Sequence, residues 1–120
     1  MKIRVAINGF GRIGRVFFRS VYNHPNIEVV AINDLADVTT MAHLLKYDSV
    51  HRQFDAHIST DERNLIVDEK AINYCSIADP TQLQWKKLEI DVVIEATGLF
   101  RTAESAQGHL TAGAKKVIVS

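Results

Sequence analysis

The sequence predicts an α/β fold, a doubly wound parallel sheet with helices on both faces and a small antiparallel insertion. Two observations support this. Short apolar, β-branched segments alternate with segments whose apolar residues recur at helical spacing. Three short strand-like segments separated by polar turns, at 53–60, 64–68 and 70–74, lie between the second helix and the next apolar strand. We expect residues 1–120 to form one domain.

The composition is that of a globular domain and argues against several partners. With 47% hydrophobic and 23% charged residues, the 120-residue chain can bury a core beneath a polar surface. The formal net charge is zero and no basic block is present, so we expect no nucleic acid and no membrane as a partner. The single cysteine, Cys75, cannot form an internal disulfide and favours a cytoplasmic location.

The apolar pattern predicts the first strand and the first helix, and a proline marks the end of that helix. Residues 3–8 form a buried parallel strand, and residues 11–23 form a helix. Pro25 prevents the helix from continuing. The apolar residues expected to turn this helix toward the sheet are Ile13, Val16, Phe17 and Val21.

The next elements repeat the alternation. Residues 27–33 form a second strand, and Asp37 can cap a helix from 38 to about 46. The segment from Leu88 to Ala96 contains the most apolar stretch, which is expected to be a central parallel strand.

The last part of the chain predicts a further strand–helix–strand unit. Asp79-Pro80 starts a turn or short helix. Thr102 can cap a helix that ends at Gly113, a residue type favoured just past a helix C-terminus. Residues 116–119 form one more strand.

The most informative stretch is Gly9-Phe10-Gly11-Arg12-Ile13-Gly14, which lies between the first strand and the first helix. Gly9 permits the tight turn, Gly11 lets the backbone approach a pyrophosphate, and Gly14 allows the helix to pack closely on the strand. The helix N-terminus then offers free N–H groups to phosphates. This context predicts a Rossmann-type dinucleotide site, with a glycine-rich turn that holds no ligand as the alternative.

An acidic residue at the expected distance selects the dinucleotide. Asp34 follows Gly14 by twenty residues, at the end of the second strand. Its carboxylate can accept hydrogen bonds from ribose hydroxyls and would repel a 2′-phosphate, which favours NAD over NADP. A methyltransferase that binds S-adenosylmethionine at a similar turn is a further alternative.

Several segments together resemble the glyceraldehyde-3-phosphate dehydrogenase family, and the resemblance covers the whole chain. They are Val5–Arg15, Asn33–Leu35, Ala42–His51, Asp79-Pro80, Trp85, Glu95–Phe100 and Ala112–Ser120. The resemblance implies that NAD is the cofactor and that the chain is the NAD-binding Rossmann domain. The cofactor positions that it and the glycine motif imply are Gly9, Gly11, Arg12, Ile13, Gly14, Asp34, Thr97, Gly98, Phe100 and Ser120.

The resemblance assigns these residues to different parts of NAD. Arg12 and Ile13 would lie against the pyrophosphate, and Asp34 would hold the adenosine ribose. Thr97 and Gly98 would line the cofactor. Phe100 would lie near the nicotinamide half, Asn8 would pack at the turn, and Ser120 would reach the cofactor through its backbone or hydroxyl. The family often carries a basic residue near the adenine, where this sequence has Ala78.

The resemblance also implies chemistry that this chain does not complete. The family's nucleophilic cysteine and base histidine lie beyond residue 120, so we expect no catalytic residue here and no turnover by the chain alone. The intact protein would oxidise glyceraldehyde 3-phosphate, take up phosphate and form a homotetramer. The chain stops after a strand, so we expect it to be the N-terminal portion of a longer protein. Erythrose-4-phosphate dehydrogenase and a stand-alone NAD-binding module are the alternatives.

Other reactive side chains receive structural interpretations. Cys75 is expected to be a packing residue, and Glu95 a packing or hydrogen-bonding one. No metal site is predicted, because the histidine spacings are not those of metal ligands. His43 and His51 are expected to be structural or at a subunit contact. The remaining histidines, His24, His57 and His109, are expected to be solvated.

Overall fold

The computed structural model describes residues 2–22, 24–47, 57–61, 64–78, 82–97 and 103–119. In these ranges the elements are, in chain order, β1 (Ile3–Asn8), α1 (Arg12–Val21), β2 (Ile27–Asn33), α2 (Val38–Tyr47), β3 (Ile58–Thr60), β4 (Asn64–Val67), β5 (Lys70–Cys75), β6 (Val92–Glu95), α3 (Ala103–Thr111) and β7 (Lys116–Val119). None of these helices is long and apolar enough to cross a membrane.

The strands form one sheet with the order β3-β4-β5-β2-β1-β6-β7. Parallel pairs join β1 to β2 and β6, β2 to β5, and β6 to β7. The pairs β3–β4 and β4–β5 are antiparallel. The predicted doubly wound parallel sheet with an antiparallel insertion is therefore confirmed, and β5 belongs to both parts.

Helices cover both faces of the sheet. On one face α1 and α2 pack through Phe18, Met41 and Leu45 on the buried side chains of β1, β2, β4 and β5. On the other face His109 of α3 contacts Trp85, and this tryptophan belongs to a second buried cluster with side chains of β1, β2 and β6. Fully burying one such large apolar side chain stabilises the fold by about 1.5–3 kcal/mol, so the two clusters hold the layers together.

The predicted bounds agree closely with the structure where the pattern was strong. The strands predicted at 3–8, 27–33 and 116–119 are confirmed, and the first helix is shorter than predicted. Of the strand predicted at 53–60, only Ile58–Thr60 is observed, and residues 53–56 lie outside the described residues. Asp79-Pro80 and Thr102 also lie outside them. The last helix ends at Thr111 rather than at the predicted Gly113, which follows the helix end with a φ of 116°.

The face that α1 turns toward the sheet differs from the prediction. Ile13 and Val16 are 58% and 57% exposed, whereas Phe18 is buried and Phe17 and Val21 are partly buried. The reason is the close contact of Gly14 with the turn before the helix, which fixes the rotation of α1. Positions four and seven residues after Gly14 then face the sheet, and Ile13 lies about 100° away around the helix axis.

This contact predicts opposite outcomes for two glycine substitutions. A Cβ at Gly14 would lie 2.2 Å from the carbonyl oxygen of Gly9, whereas one at Gly11 would have no atom within 4 Å. We expect Gly14→Ala to lower the free energy of unfolding by about 1–3 kcal/mol and Gly11→Ala by less than about 1 kcal/mol. Urea unfolding of both variants measures this, and equal losses would contradict the packing explanation.

Candidate dinucleotide-binding site

The turn between β1 and α1 is held by backbone contacts that exclude side chains. Gly9 has a φ of 95°, and a Cβ there would lie 2.6 Å from Cγ2 and 2.7 Å from the backbone nitrogen of Thr97. The Gly9 N–H donates to the carbonyl of Asn33 at 2.7 Å. The turn therefore lies directly against the carboxyl ends of β2 and β6, where ligands bind in open α/β sheets.

The N-terminus of α1 opens toward this edge of the sheet. Gly11 is the N-cap and provides no side-chain hydrogen bond to the helix, and the first turn contains no acidic residue. The first helical bond runs from the Arg15 N–H to the Gly11 carbonyl at 2.9 Å. Earlier N–H groups in this turn, among them those of Arg12 and Ile13, have no i−4 carbonyl inside the helix, so this end suits an anion.

Asp34 is fixed next to the turn by two backbone groups. The Phe10 N–H donates to its Oδ2 at 2.7 Å, and the Ala36 N–H donates to its Oδ1 at 2.9 Å. Each carboxylate oxygen has a second lone pair, so Asp34 can still accept hydrogen bonds from hydroxyl groups. The neighbouring Leu35 is 67% exposed and offers no charge to attract a 2′-phosphate.

A cavity of about 400 Å³ joins these features. Its lining includes Gly9, Gly11, Asp34, Ala78 and Thr97. Gly11, the N-cap of α1, and the hydroxyl-accepting carboxylate of Asp34 both line it, so the residues present fit a dinucleotide. At Ala78 the cavity wall has a methyl group rather than a basic side chain.

Buried amides tie the floor of the cavity to the segment after β5. Asn33 Nδ2 donates to Asn8 Oδ1 at 2.7 Å and to the Ile77 carbonyl at 2.8 Å. The Ile77 N–H donates back to Asn33 Oδ1 at 2.8 Å. These bonds fix the wall next to Asp34, a role of Asn33 that no local sequence pattern predicts.

Glu95 is a fully buried carboxylate beneath the same floor. Its Oε1 accepts from Asn8 Nδ2 at 2.6 Å, and its Oε2 accepts from the backbone N–H and hydroxyl of Thr97 at 3.1 and 2.7 Å. Burial raises the pKa of Glu95, but the hydrogen bonds from His109, Asn8 and Thr97 outweigh it and hold the pKa below its usual range. The predicted hydrogen-bonding role is confirmed.

His109 is the partner of Glu95, and its predicted solvation is wrong because its side chain is completely buried. Its Nε2 lies 2.7 Å from Glu95 Oε1, and Trp85 Nε1 donates to its Nδ1 at 3.0 Å. A buried carboxylate in an apolar strand needs donors, and that requirement is the sequence signal that points to a partner such as His109.

Among the remaining candidates, the predicted solvation of His24 and His57 is confirmed, whereas the structural or contact role of His43 stays a prediction. His24, His43 and His57 are exposed, and Cys75 is half-buried with its thiol 3.7 Å from the Ile32 carbonyl. No group of three or more potential metal ligands occurs within the described ranges. The predicted positions that lie outside the described residues are His51, Gly98, Phe100 and Ser120.

The fold and the site define a dinucleotide-binding domain of Rossmann type. The features that define it are the sheet order, the glycine turn, the open helix end and Asp34. Residues 3–103 match the model of the family described as glyceraldehyde 3-phosphate dehydrogenase, NAD binding domain. The chain belongs to this family, and NAD is the cofactor of the domain.

Several glyceraldehyde-3-phosphate dehydrogenases are similar to this chain over all or nearly all of its length. The glyceraldehyde-3-phosphate dehydrogenase of Thermotoga maritima is 58% identical over 119 residues, which are 98% of this chain and 36% of the relative. That of Geobacillus stearothermophilus is 53% identical over all 120 residues, again 36% of the relative. Glyceraldehyde-3-phosphate dehydrogenase 1 of Bacillus subtilis is 52% identical over the same length. The chain therefore spans about a third of the length of these relatives.

The lowered pKa of Glu95 predicts a pH-dependent contribution to stability. A carboxyl group with a lower pKa in the folded state stabilises the protein above its unfolded pKa, and this stability is lost as pH falls through the folded pKa. We expect Glu95→Gln to lower the free energy of unfolding by about 2 kcal/mol or more at pH 7. The difference from wild type should shrink below about pH 4.

Urea unfolding of the full-length protein between pH 3 and 7 measures this difference. Glu89→Gln, at an exposed position, serves as the control. Its free energy of unfolding should equal that of the wild type at each pH. A difference between Glu95→Gln and wild type that stays constant across this range would show that the ionised form of Glu95 is not the stabilising one.

Proposed function

We propose that the protein carrying this chain is a phosphorylating glyceraldehyde-3-phosphate dehydrogenase. It would oxidise glyceraldehyde 3-phosphate to an acyl phosphate with uptake of inorganic phosphate and reduction of NAD, as a step of glycolysis. The observation that carries the proposal is the fixed Asp34 beside an open helix N-terminus, in a chain that belongs to this family.

Two parts of the cavity would bind two parts of the cofactor. The N–H groups of the first turn of α1, at Arg12 and Ile13, would hold the pyrophosphate, with Gly11 leaving space for it. Asp34 would accept hydrogen bonds from the adenosine ribose, next to the Ala78 wall. Geometry supports both assignments, because Gly11, Asp34 and Ala78 line one cavity and Arg12 and Ile13 directly follow Gly11 in the chain.

Thr97 and its neighbours would complete the cofactor site. The Thr97 hydroxyl and N–H are fixed by Glu95 at the edge of the cavity, which supports a place along the cofactor. For Gly98, Phe100 and Ser120 the proposal rests on the family resemblance alone.

The nucleophile of the reaction would come from outside these 120 residues. NAD supplies the hydride acceptor, while the aldehyde must be attacked by a thiolate. Cys75, the single cysteine of the chain, is half-buried, and burial raises its pKa to about 11. Its thiol is therefore protonated at neutral pH, so this chain alone would bind NAD without turning over an aldehyde.

The test of the activity compares two aldehydes in the full-length protein. NADH formation from glyceraldehyde 3-phosphate, dependent on NAD and phosphate, is the expected result. Faster reduction with erythrose 4-phosphate would identify an erythrose-4-phosphate dehydrogenase instead. NAD binding without reaction of either aldehyde would overturn the enzyme proposal and indicate a binding module.

The family resemblance supports a homotetramer as the assembled form, and the single cysteine supports a cytoplasmic location. Light scattering of the full-length protein, with and without NAD, measures its mass, and a monomer or dimer would contradict the tetramer. Fractionation of cells that express the protein tests its location.

Asp34 is expected to determine the choice between NAD and NADP. Asp34→Asn removes the charge that repels a 2′-phosphate and turns one amide NH₂ toward a backbone donor. We expect NAD affinity to fall about tenfold and the preference for NAD over NADP to shrink by a similar factor.

Titration calorimetry with each dinucleotide measures both affinities. Asp37→Asn is the matched control, because Asp37 accepts from the Thr40 N–H at 2.8 Å and asparagine caps a helix equally well. An unchanged preference in Asp34→Asn would assign the discrimination to another residue.

A further inference from the structure

We propose that His109 is a positioning residue for the NAD cavity, which it serves from beneath by orienting Glu95. This inference rests on NAD occupying the cavity described above. His109 and Trp85 are completely buried and do not line the cavity, yet hydrogen bonds connect both of them to its floor. Their effect on NAD would therefore pass through Glu95.

The proton positions in this network follow from the donor types. An indole Nε1–H can only donate, so the Trp85 bond of 3.0 Å requires His109 Nδ1 to accept. The neutral ring then carries its proton on Nε2, which donates to Glu95 Oε1 at 2.7 Å. Trp85 thus fixes the tautomer of His109, and the tautomer supplies Glu95 with a donor.

The two oxygens of Glu95 serve two different parts of the cavity. Oε1, which accepts from His109, also accepts from Asn8 Nδ2 at 2.6 Å. Oε2 accepts from the hydroxyl and the N–H of Thr97. Because the carboxylate is planar and rigid, an Oε1 held by His109 fixes where Oε2 meets Thr97.

The orientation continues across the floor through Asn8. Its amide nitrogen faces Glu95, so its oxygen faces Asn33 and accepts from Nδ2 at 2.7 Å. Asn33 in turn holds both backbone groups of Ile77, which lines the wall near Asp34. A chain of oriented polar groups therefore links Trp85 on one face of the sheet to both walls of the cavity, and such networks lose more than one bond when a member changes.

Two substitutions separate the two bonds of His109. In His109→Gln the side-chain amide nitrogen can take the place of Nε2 and keep a donor on Glu95, while the acceptor for Trp85 is lost. In His109→Asn the amide oxygen can take the place of Nδ1 and keep the acceptor for Trp85, while the donor to Glu95 is lost. If His109 had only a structural role, both substitutions would change NAD affinity by the same factor.

The experiment measures NAD affinity and unfolding of the full-length wild type and both variants. We expect both variants to lose similar stability, because each leaves one buried polar group unpaired. We expect His109→Asn to bind NAD about tenfold more weakly and His109→Gln to stay within about threefold of wild type. Equal affinities in two folded variants would overturn the inference and leave the NAD site itself intact.

Wild-type protein provides a measurement that needs no variant to fold. Histidine ¹⁵N NMR distinguishes the two neutral tautomers, and the Nε2–H form of His109 is expected with and without NAD. An Nδ1–H form would overturn the inference. Failure of the wild type to bind NAD would be a separate result, because it would overturn the proposed function itself.

Discussion

The approach of backbone to backbone around Gly9 is the constraint on which the rest of the structure depends. A Cβ at Gly9 would collide with Thr97, and a Cβ at Gly14 would collide with the Gly9 carbonyl. The turn can therefore lie against β6 and α1 at once. This contact fixes the rotation of α1, directs its first N–H groups over the sheet edge, and brings the Phe10 N–H to Asp34.

Two carboxylates, those of Asp34 and Glu95, lie close to this turn. Their different surroundings give them different roles. Glu95 ends β6 and is enclosed by donors, which offsets a cost of several kcal/mol for burying an ionised group. Asp34 follows β2 and is half-exposed. Within the described residues, each of its carboxylate oxygens accepts one hydrogen bond from a backbone N–H. The enclosed carboxylate organises the floor, and the open one can still receive a ligand.

The sequence was sufficient for features whose signal is local. Apolar runs predicted β1, β2 and β7 with correct bounds, and Gly9, Gly11 and Asp34 of the predicted site line one cavity. The rotation of α1 was predicted wrongly, because the apolar pattern at Ile13 and Val16 is amphipathic in itself while a tertiary contact at Gly14 sets the buried face.

The burial of His109 could not be predicted from its neighbours. It lies between Gly108 and Leu110, and its partners are 14 and 24 residues earlier in the chain, on other elements. Only Glu95, an ionisable residue directly after three apolar ones, indicated that some donor had to be buried nearby.

The central place of β1 has a consequence for how the chain folds. β1 meets β2 soon after it is made, but its second neighbour, β6, lies 87 residues further on. Until that segment has been synthesised, an apolar strand edge from Val5 to Asn8 stays unpaired and can pair with another nascent chain. Pairing of β1 with β6 is slow relative to formation of the β4–β5 hairpin, because the two strands are far apart in the chain. During this interval the exposed edge of β1 must be shielded from other chains.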